Sequence, residues 1–346
     1  MRTFWDKQPV PQDGATYETG KEIEEKRVVS ETPCTLPDGF VWCEPSLEEA
    51  HALINEYYVR DDTFKLSYSR DTLKWSAEVP GYKNIGIRES ETNKLIGYIS
   101  SVPVTIRVEN KEMKMVQINF LCVDPRHRSR GFAPILISEI KRLANCNGIW
   151  QAVYTAVTKI PTPITKSNYW HRFLNVKRLV KTGFYQTNRL REKYFELRGN
   201  SQFRSMTSKD VPKVTRILQN YFKQFKVAPV IHKEWVKRWI LPIHSYVNDE
   251  TDDFISFYDI PYDRVDGSES VKQAYAFYVV GDVYNDAFLI AKNLGYDVFN
   301  TLDVGLDTDD LEKLKFMKGS GHIYYYLFNW IPSSTVGSED VQLKLP

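Results

Sequence analysis

The chain has 346 residues, which fits one large domain or two of ordinary size. A hydrophobic fraction of 42% supports a sizeable core and excludes disorder as the dominant state. The 46 basic and 44 acidic residues leave a net charge of +2, which excludes a general nucleic-acid binder, because a phosphate backbone demands a clear basic excess. Any anion site must therefore be local. Cys34, Cys43, Cys122 and Cys146 match no zinc or redox spacing, so reduced thiols are expected. The histidines show no ligand spacing, so no metal is expected. The first residues lack a signal-like apolar region, and no apolar run is long enough to span a bilayer. A cytoplasmic protein without stable membrane insertion is the expectation.

Residues 6–40 are polar and carry Pro9, Pro11, Pro33 and Pro37, which reads as an extended arm. Ser46 and Glu49 form a capping-box pattern that opens a helix running to about Tyr58. Strands are predicted over 82–88, 94–106 and 114–123, with a break at Pro103. A basic loop, a helix over 134–144 and a strand over 149–158 complete the half. The second half repeats the order. A helix opens at Thr207 and ends near Phe222, a strand spans 254–260, and a helix over 286–293 leads through Gly295 into a strand at Tyr296. We read two copies of one α/β unit, over 1–195 and 196–346.

The apolar run Met115 to Val123 ends at Asp124-Pro125, where a strand must stop. Arg126, His127, Arg128 and Arg130 follow, then Gly131, Ala133 and Pro134. Strand, basic glycine-containing turn and helix start make an anion cradle. Free N–H groups and the helix dipole attract a phosphate, Gly131 permits close approach, and Arg128 and Arg130 add charge-assisted bonds. The counterpart in the second half, Gly281-Asp282-Val283-Tyr284-Asn285-Asp286, has no arginine and two aspartates. One anion site is expected, in the first half only.

The pattern Arg-x-x-Gly-x-Ala resembles the pyrophosphate-binding signature of the GNAT superfamily of N-acetyltransferases. Longer strings resemble a narrower family, the glycylpeptide N-tetradecanoyltransferases or N-myristoyltransferases. They include Phe4-Trp5-Asp6-Lys7-Gln8-Pro9, Ile118-Asn119-Phe120-Leu121-Cys122-Val123, Gln151-Ala152-Val153-Tyr154-Thr155-Ala156, Tyr169-Trp170-His171-Arg172 and Tyr325-Tyr326-Leu327-Phe328-Asn329-Trp330. The resemblance implies two tandem GNAT-like units in a pseudo-twofold, saddle-shaped mixed sheet surrounded by helices. It implies transfer of a myristoyl group from myristoyl-CoA to the N-terminal glycine of client peptides by a monomer. Acyl-CoA contacts are implied at Thr3, Phe4, Trp5, Cys122, Val123, Arg128, Ser129, Arg130, Gly131, Phe132, Ala133 and Pro134. The backbone N–H groups of Phe120 and Leu121 would form an oxyanion hole, which requires a bulge in their strand. Asn119 and Thr155 would orient the glycine amine, and the terminal carboxylate at Pro346 would accept its proton. Peptide contacts are implied at Tyr58, Val59, Asp61, Asp62, Tyr68, His171 and Leu345.

Two departures stand out. The acidic run after the first helix is short here and contains Arg60, and the family's Gly-Asp-Gly is Gly319-Ser320-Gly321. Both predict a weaker preference for a downstream lysine in the peptide. The competing readings are an acetyltransferase acting on lysine or a small amine and a non-catalytic acyl-CoA-binding or peptide-binding protein.

Overall fold

A computed structural model describes residues 2–12, 14–77, 79–186 and 192–344. The first half comprises α1 (Arg2–Trp5), β1 (Phe40–Cys43), α2 (Leu47–Tyr57), β2 (Phe64–Leu66), α3 (Arg70–Ala77), β3 (Lys83–Glu89), β4 (Leu95–Val108), β5 (Lys111–Val123), α4 (Phe132–Cys146), β6 (Gln151–Ala156), β7 (Thr165–Phe173) and α5 (Val176–Lys181). The second comprises β8 (Arg204–Ser205), α6 (Val211–Phe222), β9 (Val227–Pro229), α7 (Lys233–Trp239), β10 (His244–Val247), β11 (Phe254–Asp259), β12 (Tyr262–Arg264), β13 (Ser270–Val271), β14 (Gln273–Val280), α8 (Tyr284–Asn293), β15 (Val298–Leu302), α9 (Thr308–Lys313) and β16 (Met317–Phe328).

The expected α/β architecture is present as a 13-stranded mixed sheet, in the order β1-β3-β4-β5-β6-β16-β7-β15-β14-β11-β10-β8, with β9 paired to β4. The order is its own mirror image about the β16–β7 pair. On each side an antiparallel set feeds a helix and then a parallel strand, as β5–α4–β6 and as β14–α8–β15. The last strand of each half crosses over. β7 follows β6 in the chain but pairs with β15, and β16 follows β15 but pairs with β6. This exchange makes the sheet continuous across the two halves.

The helices cover both faces for the reason their sequences suggest. α2 begins with the Ser46–Glu49 capping box and buries Ala50, Leu53 and Ile54 against Tyr98, Phe120 and Cys122. α6 occupies the equivalent place in the second half, burying Val214, Ile217, Leu218 and Phe222 against Phe254 and Tyr278. On the opposite face, α4 packs Phe132, Leu136 and Ile140 on Ile87, Ile96 and Ile99. α8 packs Ala287, Phe288 and Ala291 on Ile255, Phe257 and Phe299.

Pro103 does not end its strand, as the sequence suggested. β4 runs through it, with Pro103 opposite Val116 of β5. The other edge of β4 is vacant there, because β3 stops at the Lys83–Ser101 pair and β9 begins at Ile106, so a missing N–H is tolerated. Helix α4 starts at Phe132, two residues earlier than expected, which places Pro134 as its third residue.

Candidate active site

The loop between β5 and α4 folds much as a cradle should. Gly131 is the helix N-cap with φ of 82°, a conformation glycine adopts without strain, and no atom lies where a Cβ would stand. No side chain caps the helix, so the N–H groups of Phe132 and Ala133 face an open approach. The Phe132 side chain itself is buried, so only its backbone can serve a ligand. Ser129, exposed and with φ of 68°, turns the chain ahead of it.

The four basic residues of this loop divide their roles. Arg126 is committed to the buried Asp124, through Nε at 3.0 Å and a terminal nitrogen at 2.6 Å. That pairing holds the Asp124 carboxyl far below the usual carboxylate range. His127 is buried, with Nε2 3.3 Å from Glu89. Arg130 lies 4.9 Å from the Phe40 ring and 5.6 Å from the Phe132 ring, with its guanidinium exposed on the outer side. Arg128 donates from Nε to the Val123 carbonyl and from a terminal nitrogen to the Tyr57 carbonyl, tying the end of β5 to the end of α2. The local positive charge toward a ligand therefore comes from Arg128, Arg130 and the backbone.

Immediately upstream, β5 is irregular. Its pairing with β4 shifts between Tyr98–Cys122 and Ser100–Asn119, so Phe120 and Leu121 together oppose Ile99 alone. A bulge here is what the family resemblance implies. Phe120 has φ of 55°, which costs a bulky residue roughly 1–2 kcal/mol. Its ring is held by Tyr58 at 5.5 Å and Tyr68 at 5.4 Å, and the Tyr58 hydroxyl faces the Phe120 N–H. Cys122 points into the α2 core, where burial pushes its thiol up to about 12. A thiol so far from ionising is no nucleophile at neutral pH.

Two faces of the central strands carry different groups. Trp5 stacks on Tyr154 at 6.1 Å, and Tyr154 on Tyr326 at 5.0 Å, with Phe4 and Ile118 in the same cluster. On the opposite face, Met115, Val153, Tyr325 and Leu343 pack together. Strand alternation puts Gln117 and Asn119 on the Met115 face and Thr155 on the Val153 face. Asn119, Thr155, Tyr325 and the C-terminal segment thus converge. The Asn119 Oδ1 accepts from Gln117 Nε2 at 3.0 Å, while its Nδ2 is buried without a partner, as is the Tyr325 hydroxyl.

His171 stands on β7, six positions from Thr165, or about 20 Å along the strand from the Thr155–Tyr325 pair. Burial lowers its pKa, and Nδ1 bonds Asn300 Oδ1 at 2.7 Å. Asn300 donates to Gln273, which also accepts from the Tyr275 hydroxyl at 3.0 Å. Gly319 is packed so closely on His171 that a Cβ would lie 2.4 Å from Nε2. Ser320 is exposed.

The segment after α2 corrects the electrostatic expectation. Arg60 folds back on Glu56, 3.4 Å away, and leaves the aspartates alone. Asp61 accepts from the N–H groups of Thr63 and Phe64 at 2.7 Å each and from Tyr262. Burial pushes its carboxyl up, but these bonds outweigh it and hold it low. Asp61 therefore shapes a turn, although both it and Asp62 are exposed. Val59 is also exposed.

Sequence reasoning did not single out Tyr325, which the structure sets opposite Thr155, or Gln273, Tyr275 and Asn300, which form the network behind His171. Their one signal was polar groups placed inside otherwise apolar, β-prone strings. Leu345, Pro346 and the side chain of Thr3 lie outside the described residues. Among the described residues no group of His, Cys, Asp and Glu could hold a metal, and no helix is long and apolar enough to cross a membrane.

Residues 20–167 match the family model for the N-terminal domain of myristoyl-CoA:protein N-myristoyltransferase, and residues 154–343 match its C-terminal domain. Glycylpeptide N-tetradecanoyltransferase 2 of Danio rerio is 40% identical, covering 94% of this chain and 74% of that protein. Glycylpeptide N-tetradecanoyltransferase 1 of Arabidopsis thaliana is 37% identical, over 99% of this chain and 88% of that protein. A crystal structure of Saccharomyces cerevisiae N-myristoyltransferase with bound myristoyl-CoA superposes with a TM-score of 0.89 at 29% identity, covering 98% of this chain and 92% of that one. The chain belongs to the myristoyl-CoA:protein N-myristoyltransferase family.

Proposed function

We propose that the chain transfers a myristoyl group from myristoyl-CoA to the N-terminal glycine of client proteins. The observation that carries this reading is the bulge at Phe120–Leu121, set directly upstream of the cradle at Arg128–Ala133. A donor whose phosphates lie on the cradle would bring its thioester back along β5 toward the bulge. There the N–H of Leu121, and that of Phe120 once it exchanges the Tyr58 hydroxyl for the ligand, can bond the carbonyl oxygen as it gains charge. Each such donor lowers the barrier by about 3–4 kcal/mol.

The attack is direct. The glycine amine adds to the thioester carbon, the tetrahedral intermediate collapses with cleavage of the C–S bond, and coenzyme A departs as its thiolate. Asn119 Nδ2, a donor, suits a carbonyl oxygen better than it suits the N–H of the amine. The proton lost by the amine goes to a carboxylate at Pro346, beyond the buried segment Val341–Lys344. A peptide lying from Thr155 toward His171 would cover the stretch in which Tyr58, Tyr68, Tyr275 and Asn300 stand.

The test is incubation of a glycine-starting peptide and its alanine-starting control with myristoyl-CoA and with acetyl-CoA, read by mass spectrometry. The expected product is the myristoylated glycine peptide alone. Acetylation of either peptide, or of a lysine side chain, would support the acetyltransferase reading instead.

A further inference from the structure

The two parallel strand pairs open in the same way. β5 and β6 stay in register for Met115–Gln117 with Gln151–Val153 and then part. β14 and β15 stay in register for Gln273–Tyr275 with Val298–Asn300 and then part. Counting from these pairings, Tyr278 is the counterpart of Phe120 and Thr301 the counterpart of Tyr154. In the first half the gap lies beside the cradle. In the second half it holds part of the chain itself. The Lys344 amine bonds Thr301 Oγ1 at 3.3 Å, and the Lys344 backbone N–H faces the Tyr278 hydroxyl.

The segment leading there is firmly seated. Val341 forms a bridge with Val227, Gln342 donates from its backbone N–H to the Val227 carbonyl and from Nε2 to the Tyr221 hydroxyl, and Leu343 joins the central cluster. Lys344 is buried, and no carboxylate of the described residues pairs with it. The groups facing it are hydroxyls: Tyr278 from β14, Thr301 from β15 and, beside Thr301, Tyr284 from α8. Tyr221 of α6 faces the neighbouring Gln342. Asp303, just past β15, is engaged by Ser167, Asn168 and Trp170. Such a place suits an amine that donates hydrogen bonds while carrying no charge.

We propose that Lys344 is a positioning residue whose amine docks the C-terminal segment between β14 and β15, ahead of the terminal carboxylate proposed as the base. This rests on the transfer reaction proposed above. The physical consequence is a coupling between docking and protonation. In water a lysine holds its proton to about pH 10.4, whereas burial pushes Lys344 down to about 7. The undocked chain therefore binds more protons than the docked one between these values. Docking is weakest, and level, below about pH 7, and strengthens by up to about tenfold per pH unit above it.

The experiment compares the full chain with K344M, which is neutral at every pH, and K344R, which is charged at every pH. Measured are kcat and KM for a glycine peptide, the Kd for myristoyl-CoA, and Tm, each at pH 7 and pH 9. K344M is expected to exceed the parent in Tm at pH 7, with the gap narrowing at pH 9. The parent kcat is expected to rise about threefold or more between the two pH values relative to K344M, and K344R is expected to lose about tenfold or more in kcat with an unchanged Kd. A Tm gap and a kcat ratio that do not change with pH overturn the proposal, as does a K344R enzyme equal to the parent. The Tm comparison needs no turnover, so a chain that transfers no myristoyl group would refute the proposed reaction without deciding the role of Lys344.

Discussion

Thr155 on β6 lies directly opposite Tyr325 on β16, and the Tyr325 hydroxyl is buried with no hydrogen-bond partner. Side chains paired in this way share a face, so an unsatisfied hydroxyl sits next to a threonine expected to address the substrate amine. An orphaned buried polar group costs about 1–3 kcal/mol. Y325F should therefore leave stability unchanged or raise it. If the hydroxyl bonds the substrate, kcat/KM for a glycine peptide should fall about tenfold, or about 1.4 kcal/mol. Urea denaturation and steady-state kinetics decide the matter together, and a fully active Y325F enzyme would remove Tyr325 from the site.

The loop after β5 separates binding from stability. Arg126 neutralises a buried carboxylate, whereas Arg128 and Arg130 keep exposed guanidinium surface beside the N-terminus of α4. R128A and R130A should each weaken myristoyl-CoA binding by about tenfold, and the loss should shrink at high salt. R126A should change that affinity by less than about twofold but lower stability by about 1–2 kcal/mol at pH 7. The pH dependence has a definite sign. The Asp124 carboxyl is depressed in the fold, so its contribution is complete above the ordinary carboxylate range and disappears as pH falls below about 4. The stability gap between R126A and the parent should close over that acid range, as followed by denaturation at stepped pH.

Much of this was legible in the residues. Ser46 with Glu49, the stop at Asp124-Pro125 and the cradle at Gly131 are local signals, and the structure keeps each where it was read. The bulge was expected only through the family resemblance, which implies N–H groups withdrawn from the ladder at Phe120 and Leu121, and the structure has it there. The strand exchange was illegible: nothing in Thr165–Phe173 says that it pairs with β15, because strand pairing is decided by tertiary packing. Pro103 misled because a single sequence does not reveal which edge of a strand is vacant.

Peptide preference follows from the same kind of geometry. Arg60 pairs with Glu56, the Asp61 carboxylate is bonded into a turn, and Ser320 brings no charge, which leaves the exposed Asp62 to meet a downstream lysine. An exposed ion pair contributes about 0–1 kcal/mol. Matched peptides with lysine or alanine downstream should therefore differ in kcat/KM by no more than about fivefold, and D62N should abolish the difference. A lysine preference of about a hundredfold would require a second acid in the cleft.

The proton acceptor gives the sharpest test of the reaction. A free α-carboxylate has a pKa of about 3.5 and the glycine amine one of about 7.8, a poor match for proton transfer in water. Desolvation raises a carboxylate toward the amine, and the segment before Pro346 is buried through Val341, Gln342, Leu343 and Lys344. A carboxylate displaced by one residue would leave that environment, because an added residue extends a strand-like chain by about 3.3 Å. One alanine appended after Pro346 should lower kcat by about 100-fold or more, in line with the loss of a general base. On the reading proposed above, myristoyl-CoA sits on the cradle, away from the C-terminal segment, so its Kd should stay within about twofold, as measured by calorimetry. An extended enzyme with the kcat of the parent would place the base elsewhere in the cleft.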